Sequence, residues 1–301
     1  MGLKHLPWLG GFLLLLTGCA IASATESLSF SSSETTFPSQ TVAQSTPSAD
    51  TTSSSAHLLL GNPSDAKADV ASPENYLMIK PEYALSYSRS KGIPNWVSWQ
   101  LSQAWQGDAP RQNNFRSDTT LPTGWYRVTT TNYTYSGFDR GHMTASEDRT
   151  AIIEVNSATF LMTNILPQSP DNNRGPWAVL EEHCRTLVKQ GNDLYIIAGG
   201  SGIGGTGENG TMSTLASGRI TVPANTWKVV VVLPAGGGIG GINSNTRVIA
   251  VNMPNSQGIR TTDWRSFRTS VDQIEATTGY NFLSNVSEAL QETIESKVDT
   301  Q

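Results

Sequence analysis

Apolar and polar residues alternate along two stretches at the start of the predicted folded region. Residues 83–88 and residues 94–101 each place apolar side chains at about every second position, which is the pattern of a half-exposed β-strand. Lys91 and Gly92 lie between the two stretches and favour a turn. The pattern therefore predicts a β-hairpin, with folded structure beginning near residues 76–79.

Later apolar runs predict further strands. Four of them lie at residues 194–198, 219–222, 227–233 and 246–253. Residues 229–233 are continuously apolar, which is typical of a central strand covered on both faces. Residues 125–128 are also strand-like, and residues 159–165 form a β-type run. Together these segments predict a central and largely antiparallel sheet.

A helix is predicted to begin at Pro176, because proline fits the first turn of a helix, where a missing backbone N–H costs nothing. Gly191 is expected to end this helix after Gln190. At 100° per residue one face of the helix is apolar, and it consists of Trp177, Leu180, Cys184, Leu187 and Val188. Glu181 and Arg185 lie four residues apart along the edge of that face, so their side chains point the same way.

Two shorter segments, residues 270–278 and residues 288–298, predict surface helices. One sheet with flanking helices predicts an α+β domain that spans residues 76–301. Residues 202–207 fit the G-x-G-x-x-G pattern of dinucleotide-binding loops. Such a loop must open a helix, whereas here the chain continues into another strand. We therefore interpret this segment as a flexible hairpin loop.

Residues 1–24 have the layout of an export signal. Lys4 precedes an apolar run at residues 9–16 that is too short to remain in a bilayer as a spanning helix. The segment ending at Cys19 resembles a bacterial lipobox, which would leave this cysteine lipidated, whereas residues 22–24 resemble a cleavage site that would release the protein. Both alternatives predict an exported protein: periplasmic, secreted, or anchored to the cell envelope and its membrane only through a lipid on Cys19.

Residues 25–75 are rich in Ser, Thr, Ala and Pro and poor in aromatic residues. This composition predicts a disordered linker, because it offers too little apolar surface to bury.

The whole chain has a net charge of −5, but from Tyr76 onward it contains 18 Lys and Arg residues and 19 Asp and Glu residues. The domain therefore lacks the basic excess that holds nucleic acid by charge alone. Any attraction to phosphate must come from arginines gathered in one place.

The two cysteines, Cys19 and Cys184, are not expected to pair, because one lies in the export signal and the other in the domain. Cys184 has Leu180, Leu187 and Val188 as neighbours on the predicted helix. We therefore interpret it as a small buried apolar residue rather than as a nucleophile.

Candidate chemistry centres on a histidine. The predicted domain contains His142 and His183. His183 shares a helix with Glu181 but points away from it, so we interpret it as a surface residue. His142 ends an Asp-Arg-Gly-His segment at residues 139–142. A neutral imidazole with an aspartate and an arginine close by in sequence can take a proton from water near pH 7.

The sequence contains no Cys/His cluster with zinc spacing and no Gly-x-Ser-x-Gly motif. A hard metal would need oxygen ligands, and Mg²⁺ often keeps most of its waters and takes one or two protein ligands. The amide oxygen of Asn173, with water in the other positions, would satisfy it. Residues 111–116 predict a polar loop that is well supplied with arginine and amide side chains.

The region from about Tyr83 to the C-terminus resembles the DNA/RNA non-specific endonucleases and, within that family, the sugar-non-specific nucleases of cyanobacteria. The resemblance rests first on the Asp-Arg-Gly-His segment. Further matching positions are Ser146, Asp148, Arg149, Thr163, Asn164, Pro167, Gln168, residues 171–174, Trp177, Leu180, Glu181, and parts of residues 111–116 and 278–298. The resemblance implies a ββα-metal (His-Me finger) active site on the α+β fold.

The resemblance also implies a role for each matching position. His142 matches the general base that activates water, and Asn173 matches the one direct protein ligand of Mg²⁺. Glu181 matches the carboxylate that orients metal-bound water and assists the leaving oxygen. The arginines that hold the scissile phosphate are matched by Arg111, Arg140 and Arg185. Asp139 is expected to position the metal site without binding the ion.

These roles predict a Mg²⁺-dependent endonuclease that hydrolyses DNA and RNA to 5′-phosphate products, with Mn²⁺ as a substitute metal. A site that contacts phosphate rather than base edges would be indifferent to sequence. Two other hypotheses stay open: a catalytically silent module that binds nucleic acid or envelope polymer, and a phosphodiesterase of the same fold with a smaller substrate. An inhibitor protein is a further partner that the resemblance raises.

Overall fold

The computed structural model describes residues 55–301; the predicted export signal and most of the predicted linker lie outside them. A seven-stranded antiparallel sheet, in the order β1-β2-β3-β6-β11-β12-β13, forms the centre of the protein. Its strands are β1 (Tyr76–Ile79), β2 (Ala84–Ser88), β3 (Ile93–Leu101), β6 (Asn192–Ser201), β11 (Asn225–Pro234), β12 (Arg247–Pro254) and β13 (Arg268–Thr269). The predicted hairpin is therefore confirmed as β2 and β3.

The other strands form three two-stranded sheets outside the main one. They are β4 (Asp139–His142) with β5 (Ile165–Gln168), β7 (Gly205–Gly207) with β8 (Gly210–Met212), and β9 (Thr214–Leu215) with β10 (Ile220–Thr221). The α-helices are α1 (Ile153–Ala158), α2 (Pro170–Asn172), α3 (Ala178–Lys189), α4 (Val271–Thr278) and α5 (Glu288–Glu295). The glycine-rich segment was interpreted as a hairpin loop; its residues 205–207 instead form β7, the first strand of the β7–β8 hairpin, and residues 202–204 form the loop that precedes it.

Side chains of β11 alternate between two buried cores, one on each face of the main sheet. Val230 packs into the core that also contains Leu180 and Cys184 of α3. Val229 and Val231 face the opposite core, which α4 and α5 also cover. The protein is thus an α+β fold with a central antiparallel sheet between two flanking layers, and the predicted fold class is confirmed.

The prediction for α3 is also confirmed. Its first residue follows the predicted start closely, and Gly191 lies just beyond its end with φ of 92°. This left-handed conformation favours glycine because it has no Cβ. Cys184 is buried and free. Among residues 55–301, no helix combines the length and apolar character needed to cross a bilayer.

The predicted linker extends too far, because residues 55–75 are folded onto the sheet. Leu58 and Leu60 are buried in the core beneath α4 and α5. Ser98 Oγ donates a hydrogen bond of 2.5 Å to the backbone oxygen of His57, and Trp96 Nε1 donates one of 2.8 Å to Ser64 Oγ. The segment is polar in composition, but a few apolar side chains and these bonds to β3 hold it in place.

Two strand predictions are wrong. Residues 125–128 form no strand, because Trp125 and Val128 reach the core from a loop. The β-type run at residues 159–165 is instead a turn and a 3₁₀-helix that lead into β5. Buried Asn164 explains the difference. Its side chain accepts a hydrogen bond from the backbone N–H of Thr144 and donates one to the backbone oxygen of the same residue, both at 2.9 Å. It thereby replaces strand pairing at this point.

Candidate active site

A short β-hairpin followed by a helix carries the Asp-Arg-Gly-His segment. This segment forms β4, which pairs with β5 so that Asp139 lies opposite Gln168 and His142 opposite Ile165. Gly141 is required by the close approach of the partner strand, since a Cβ at this position would lie 2.6 Å from the Cβ of Gln168. The chain then passes from β5 through α2 into α3, which gives a β-β-α arrangement.

Asn173 begins the turn that joins α2 to α3. Gly175, with φ of −114° and ψ of −117°, interrupts the helical backbone there. A Cβ at Gly175 would lie 2.5 Å from the backbone oxygen of Arg260, so this kink also favours glycine. The kink separates Asn173 from the regular part of α3 and leaves its side chain directed at β4.

Asp139 fixes the side chain of Asn173. Asn173 Nδ2 donates a hydrogen bond of 2.8 Å to Asp139 Oδ2, and Arg174 donates two more to the same carboxylate, at 2.8 and 2.6 Å. Because the amide nitrogen is committed to Asp139, the amide oxygen of Asn173 is left free of hydrogen bonds within the described region. An amide oxygen held in this way is a suitable ligand for a hard cation.

His142 is buried between two phenylalanines. Its ring centroid lies 5.2 Å from that of Phe115 and 4.9 Å from that of Phe160. The residue is 9% exposed, and its Nε2 is enclosed without a hydrogen-bond partner among residues 55–301. Burial, followed by the charges of Arg111 and Arg140, lowers the pKa of His142 to about 3. The imidazole is therefore neutral at pH 7.

The two arginines rest on the same phenylalanines. The guanidinium of Arg140 lies 4.4 Å from the ring centroid of Phe115, and that of Arg111 lies 5.0 Å from the centroid of Phe160. Arg111 also donates hydrogen bonds to Ser146 Oγ and, at 2.9 Å, to Asn113 Oδ1. Both arginines are exposed, so their charges are available to an anion beside the imidazole.

Glu181 forms a second group of charges together with a lysine of the main sheet. Its side chain is 16% exposed, and Oε1 lies 3.6 Å from Nζ of Lys228, whose side chain is 1% exposed. The ammonium group also lies 4.0 Å from the ring centroid of Trp177 and 5.8 Å from that of Trp99. Burial raises the pKa of the Glu181 carboxyl, and the positive charge of Lys228 opposes that rise. A cation–π contact and an ion pair thus hold this buried lysine.

Arg185 is fixed by Asp148. Its guanidinium donates a hydrogen bond of 3.1 Å to Asp148 Oδ1, while Trp99 Nε1 donates one of 3.0 Å to Oδ2 of the same carboxylate. Asp148 is 1% exposed and Arg185 is 19% exposed at the side chain. The buried acid therefore sets the direction of a partly exposed arginine one helical turn from Glu181.

The predicted residues fall into three groups: His142 with Arg111 and Arg140, Asn173 with Asp139, and Glu181 with Arg185. Within residues 55–301, no hydrogen bond or ion pair joins one group directly to another. The β4–β5 hairpin and α3 hold the groups together. The role of Lys228 was not predicted. A lysine directly before the apolar run of a strand covered on both faces is the signal that could have revealed it, because a buried charge requires a partner.

His183 differs from its interpretation as a surface residue. Its ring centroid lies 5.3 Å from that of Trp264, and its Nε2 is enclosed without a hydrogen-bond partner among the described residues. Trp264 begins a 3₁₀-helix just before β13, far along the sequence. For this reason helical periodicity alone could not anticipate the contact.

Comparison with known proteins identifies the family. Residues 61–289 match the model of the DNA/RNA non-specific endonucleases. The chain belongs to the DNA/RNA non-specific endonuclease family. A nuclease from Nostoc sp. (strain PCC 7120) is 56% identical over 246 residues, which cover 81% of this chain and 86% of that protein. Mitochondrial Endonuclease G from Homo sapiens is 29% identical over 217 residues, 70% of each chain.

The fold agrees with this assignment. The crystal structure of the EndoG/EndoGI complex contains a chain that superposes with a TM-score of 0.66 at 24% identity, and the match covers 82% of this chain and 99% of that one. The resemblance deduced from the sequence is thus confirmed. As a member of the DNA/RNA non-specific endonucleases, a family of metal-dependent nucleases, the protein is an endonuclease that hydrolyses nucleic acid.

Proposed function

We propose that this endonuclease hydrolyses phosphodiester bonds of both DNA and RNA with Mg²⁺ as its metal, Mn²⁺ as a substitute, and 5′-phosphate ends as products. The proposal rests chiefly on the hydrogen bond between Asn173 and Asp139. This bond ties the candidate metal ligand to the first residue of the strand that ends at His142. The bond supports the proposal that the amide oxygen of Asn173 and the neutral imidazole of His142 act in one site.

His142 is proposed as the general base that takes a proton from the attacking water. Its lowered pKa in the free protein makes it neutral but weakly basic. A phosphate bound by Arg111 and Arg140 would offset two positive charges beside the ring. The pKa of His142 would then rise and its capacity to accept a proton would improve. Substrate binding and activation of the base are in this way coupled through the same two arginines.

Asn173 is proposed to hold the metal through its amide oxygen, while Asp139 positions the amide without binding the ion. When bound, the Mg²⁺ would stabilise the extra negative charge on the phosphorus centre and on the departing 3′ oxygen. Glu181 is proposed to orient water at the metal and to assist the leaving oxygen. Arg185, fixed by Asp148, is proposed to contact the scissile phosphate together with Arg111 and Arg140.

Water rather than the 2′-hydroxyl is the attacking group in this scheme, so the sugar has no part in the reaction. The base sequence of the substrate would also matter little, because arginine contacts to phosphate carry no base information.

The EndoG of the related crystal structure is bound by an inhibitor, and we propose an inhibitor protein as a partner here too. Export, with or without a lipid on Cys19, is proposed from the first 24 residues.

The proposal is tested by digestion of plasmid DNA and of RNA with Mg²⁺, Mn²⁺ or EDTA. We expect wild type to cleave both polymers in either metal and neither in EDTA. His142→Ala is expected to reduce the rate by about 10²–10⁴-fold, the usual contribution of a general base. His183→Ala is the matched control, because it removes a histidine outside the proposed machinery. Mapping of the product ends would test the 5′-phosphate assignment.

Equal nicking by wild type and His142→Ala would contradict the mechanism. A wild-type protein that binds DNA without cleaving it in either metal would instead support the silent binding module.

Metabolic lipid labelling of wild type and Cys19→Ala tests the proposed anchor. Label on wild type alone is expected for a lipoprotein, whereas no label on either protein would indicate release.

A further inference from the structure

Three carboxylates meet between α4 and α5, on the face of the sheet opposite α3. Asp272 and Glu275 belong to α4, and Glu295 is the last residue of α5. One carboxylate oxygen from each residue lies within 4.8 Å of the other two. Three like charges at this spacing repel one another strongly unless a cation or protons offset them.

Glu295 is the least explained member of the group. The residue is only 4% exposed, and its Oε1 is enclosed without a hydrogen-bond partner among residues 55–301. Burial, followed by the charges of Glu275 and Asp272, raises the pKa of Glu295 to about 7, although a backbone hydrogen bond from Leu283 to this carboxyl opposes the rise. Leaving a buried acceptor such as Oε1 unsatisfied is costly, and no hydrogen bond among residues 55–301 reaches this oxygen.

No basic side chain offsets the cluster within the described part of the chain. The ion pairs found there join acids other than Asp272, Glu275 and Glu295 to Lys80, Arg174, Arg185, Lys228, Arg247, Arg260, Arg265 and Arg268. Glu275 Oε1 accepts a hydrogen bond of 2.8 Å from the backbone N–H of Phe282. This bond orders the Glu275 carboxylate without neutralising it.

We propose that Asp272, Glu275 and Glu295 bind a calcium ion. Three carboxylates supply the hard oxygen ligands that this ion prefers, and Ca²⁺ accepts six to eight oxygens, so water can complete its shell at exposed Asp272. Mg²⁺, by contrast, demands a near-ideal octahedron and is usually bound through one or two carboxylates rather than by an all-protein cage. Three converging carboxylates therefore favour Ca²⁺.

The proposed ion would join the two C-terminal helices across the loop that separates them. Ile274 and Ile294, next to the ligands on α4 and α5, are both buried in the same core. Their packing fixes the backbone from which the ligands project. The site is chemically distinct from the proposed nuclease centre, where a single amide oxygen of Asn173 would contact the metal. Its role is structural: it holds the C-terminal layer against the sheet.

Calcium binding by the EDTA-treated protein, measured by calorimetry in excess Mg²⁺, tests the proposal. We expect wild type to bind one Ca²⁺ per chain and to gain several degrees in Tm, because a ligand of the folded state stabilises it. Glu295→Gln is expected to weaken binding at least tenfold and to abolish the gain in Tm. Asp272→Asn provides a second variant whose exposed position does not endanger folding. The matched control is Glu292→Gln, which removes an exposed charge from the same helix.

Nuclease activity in Mg²⁺ should be the same in all these proteins, which separates this site from the proposed catalytic one. The proposal is overturned if Ca²⁺ neither binds to wild type nor raises its Tm. That result would mean that Glu295 holds a proton instead. Equal binding by wild type, Asp272→Asn and Glu295→Gln would place the ion elsewhere and would equally overturn the assignment. A site that takes Mg²⁺ but not Ca²⁺ would overturn the identity of the ion.

Discussion

Two buried histidines, His57 in the N-terminal segment and His142 at the end of β4, show how burial can serve opposite purposes. His57 uses both ring nitrogens: Nε2 lies 2.8 Å from the backbone oxygen of Pro81, and Nδ1 accepts a hydrogen bond of 3.2 Å from the backbone N–H of Gln100. His142 lies between two phenylalanines, and its enclosed Nε2 has no partner in the described region. Burial lowers the pKa of each ring, to about 4 and about 3 respectively.

The difference teaches what distinguishes a structural from a functional buried polar group. The bonds of His57 join residues 55–75 to β3 and to the turn between β1 and β2, and they satisfy the groups that burial removes from water. His142 leaves its hydrogen-bonding capacity unused, which costs stability in the free protein. Such a cost is expected where the missing partner is a substrate or a water that substrate organises. The two rings should therefore respond in opposite ways to the same substitution.

Substitution by leucine at each position has the largest expected effect. His142→Leu should reduce cleavage by about 10²–10⁴-fold while leaving Tm unchanged or slightly raised, because an apolar side chain of similar size replaces an unsatisfied ring. His57→Leu should retain the activity of the folded protein at 25 °C but lose about 2–4 kcal/mol of stability, since the groups on Pro81 and Gln100 both lose their partner. Cleavage rates and urea unfolding of both variants are the measurements.

A clear fall in stability for His142→Leu, or a comparable loss of activity for His57→Leu, would contradict this division. His183→Leu serves as a control in both assays. Its ring also has an enclosed and unpartnered nitrogen, but it packs against Trp264 away from the proposed machinery. We therefore expect it to change neither the rate of cleavage nor its dependence on Mg²⁺.

Lys228 extends the comparison to a buried charge on the active-site face. Lys228→Met removes the partner of Glu181 and should cost about 3–5 kcal/mol of stability, because a buried charge is left uncompensated. Since Lys228 opposes the rise in the pKa of Glu181, its removal should also shift the acidic limb of the pH–activity profile to higher pH. A purely structural lysine would lower the Tm and leave that profile in place.

The double variant Lys228→Met/Glu181→Gln sharpens this test. Removing both charges should restore most of the stability lost in Lys228→Met, because neither member of the pair is left as an uncompensated buried charge. Activity should stay low, since the proposed role of Glu181 requires a carboxylate. Recovery of both stability and activity would show that the pair is only a packing element. Urea unfolding and the rate of plasmid cleavage distinguish the two outcomes.

Much of the fold could be predicted from sequence because its strands and α3 have regular apolar periods. Predictions from apolar periodicity were wrong where tertiary contacts decided the structure. At buried Asn164, for example, the side chain forms hydrogen bonds with the backbone N–H and the backbone oxygen of Thr144. Composition failed at residues 55–75, where Leu58 and Leu60 decide the structure although Ser, Pro and charged residues outnumber them. The average composition of a segment does not reveal the few residues that pack in the core.

Residue chemistry suggested His142 and Asn173, but the rest of the candidate site was accessible from sequence only through resemblance to a family. No period or composition could join Asp139 to Asn173 or Glu181 to Lys228, because each pair is brought together by folding over a long stretch of chain. His57 was overlooked for the same reason, since it lay within the predicted linker. The contacts of its two ring nitrogens, which define its role, exist only in the folded protein.

The pH dependence of stability should isolate the contribution of His57. Above pH 6.5 the ring is neutral in both states; as pH falls towards 4 only the unfolded chain takes up the proton, because burial and then Arg149 lower the folded pKa to about 4. A proton on Nδ1 would face the N–H of Gln100. The stability advantage of wild type over His57→Leu should therefore shrink by about 3 kcal/mol between pH 7 and pH 4, measured by urea unfolding. Both proteins contain His142, so its titration cancels when their stabilities are subtracted. A stability difference that stays constant between pH 7 and pH 4 would refute a neutral His57 that forms two hydrogen bonds.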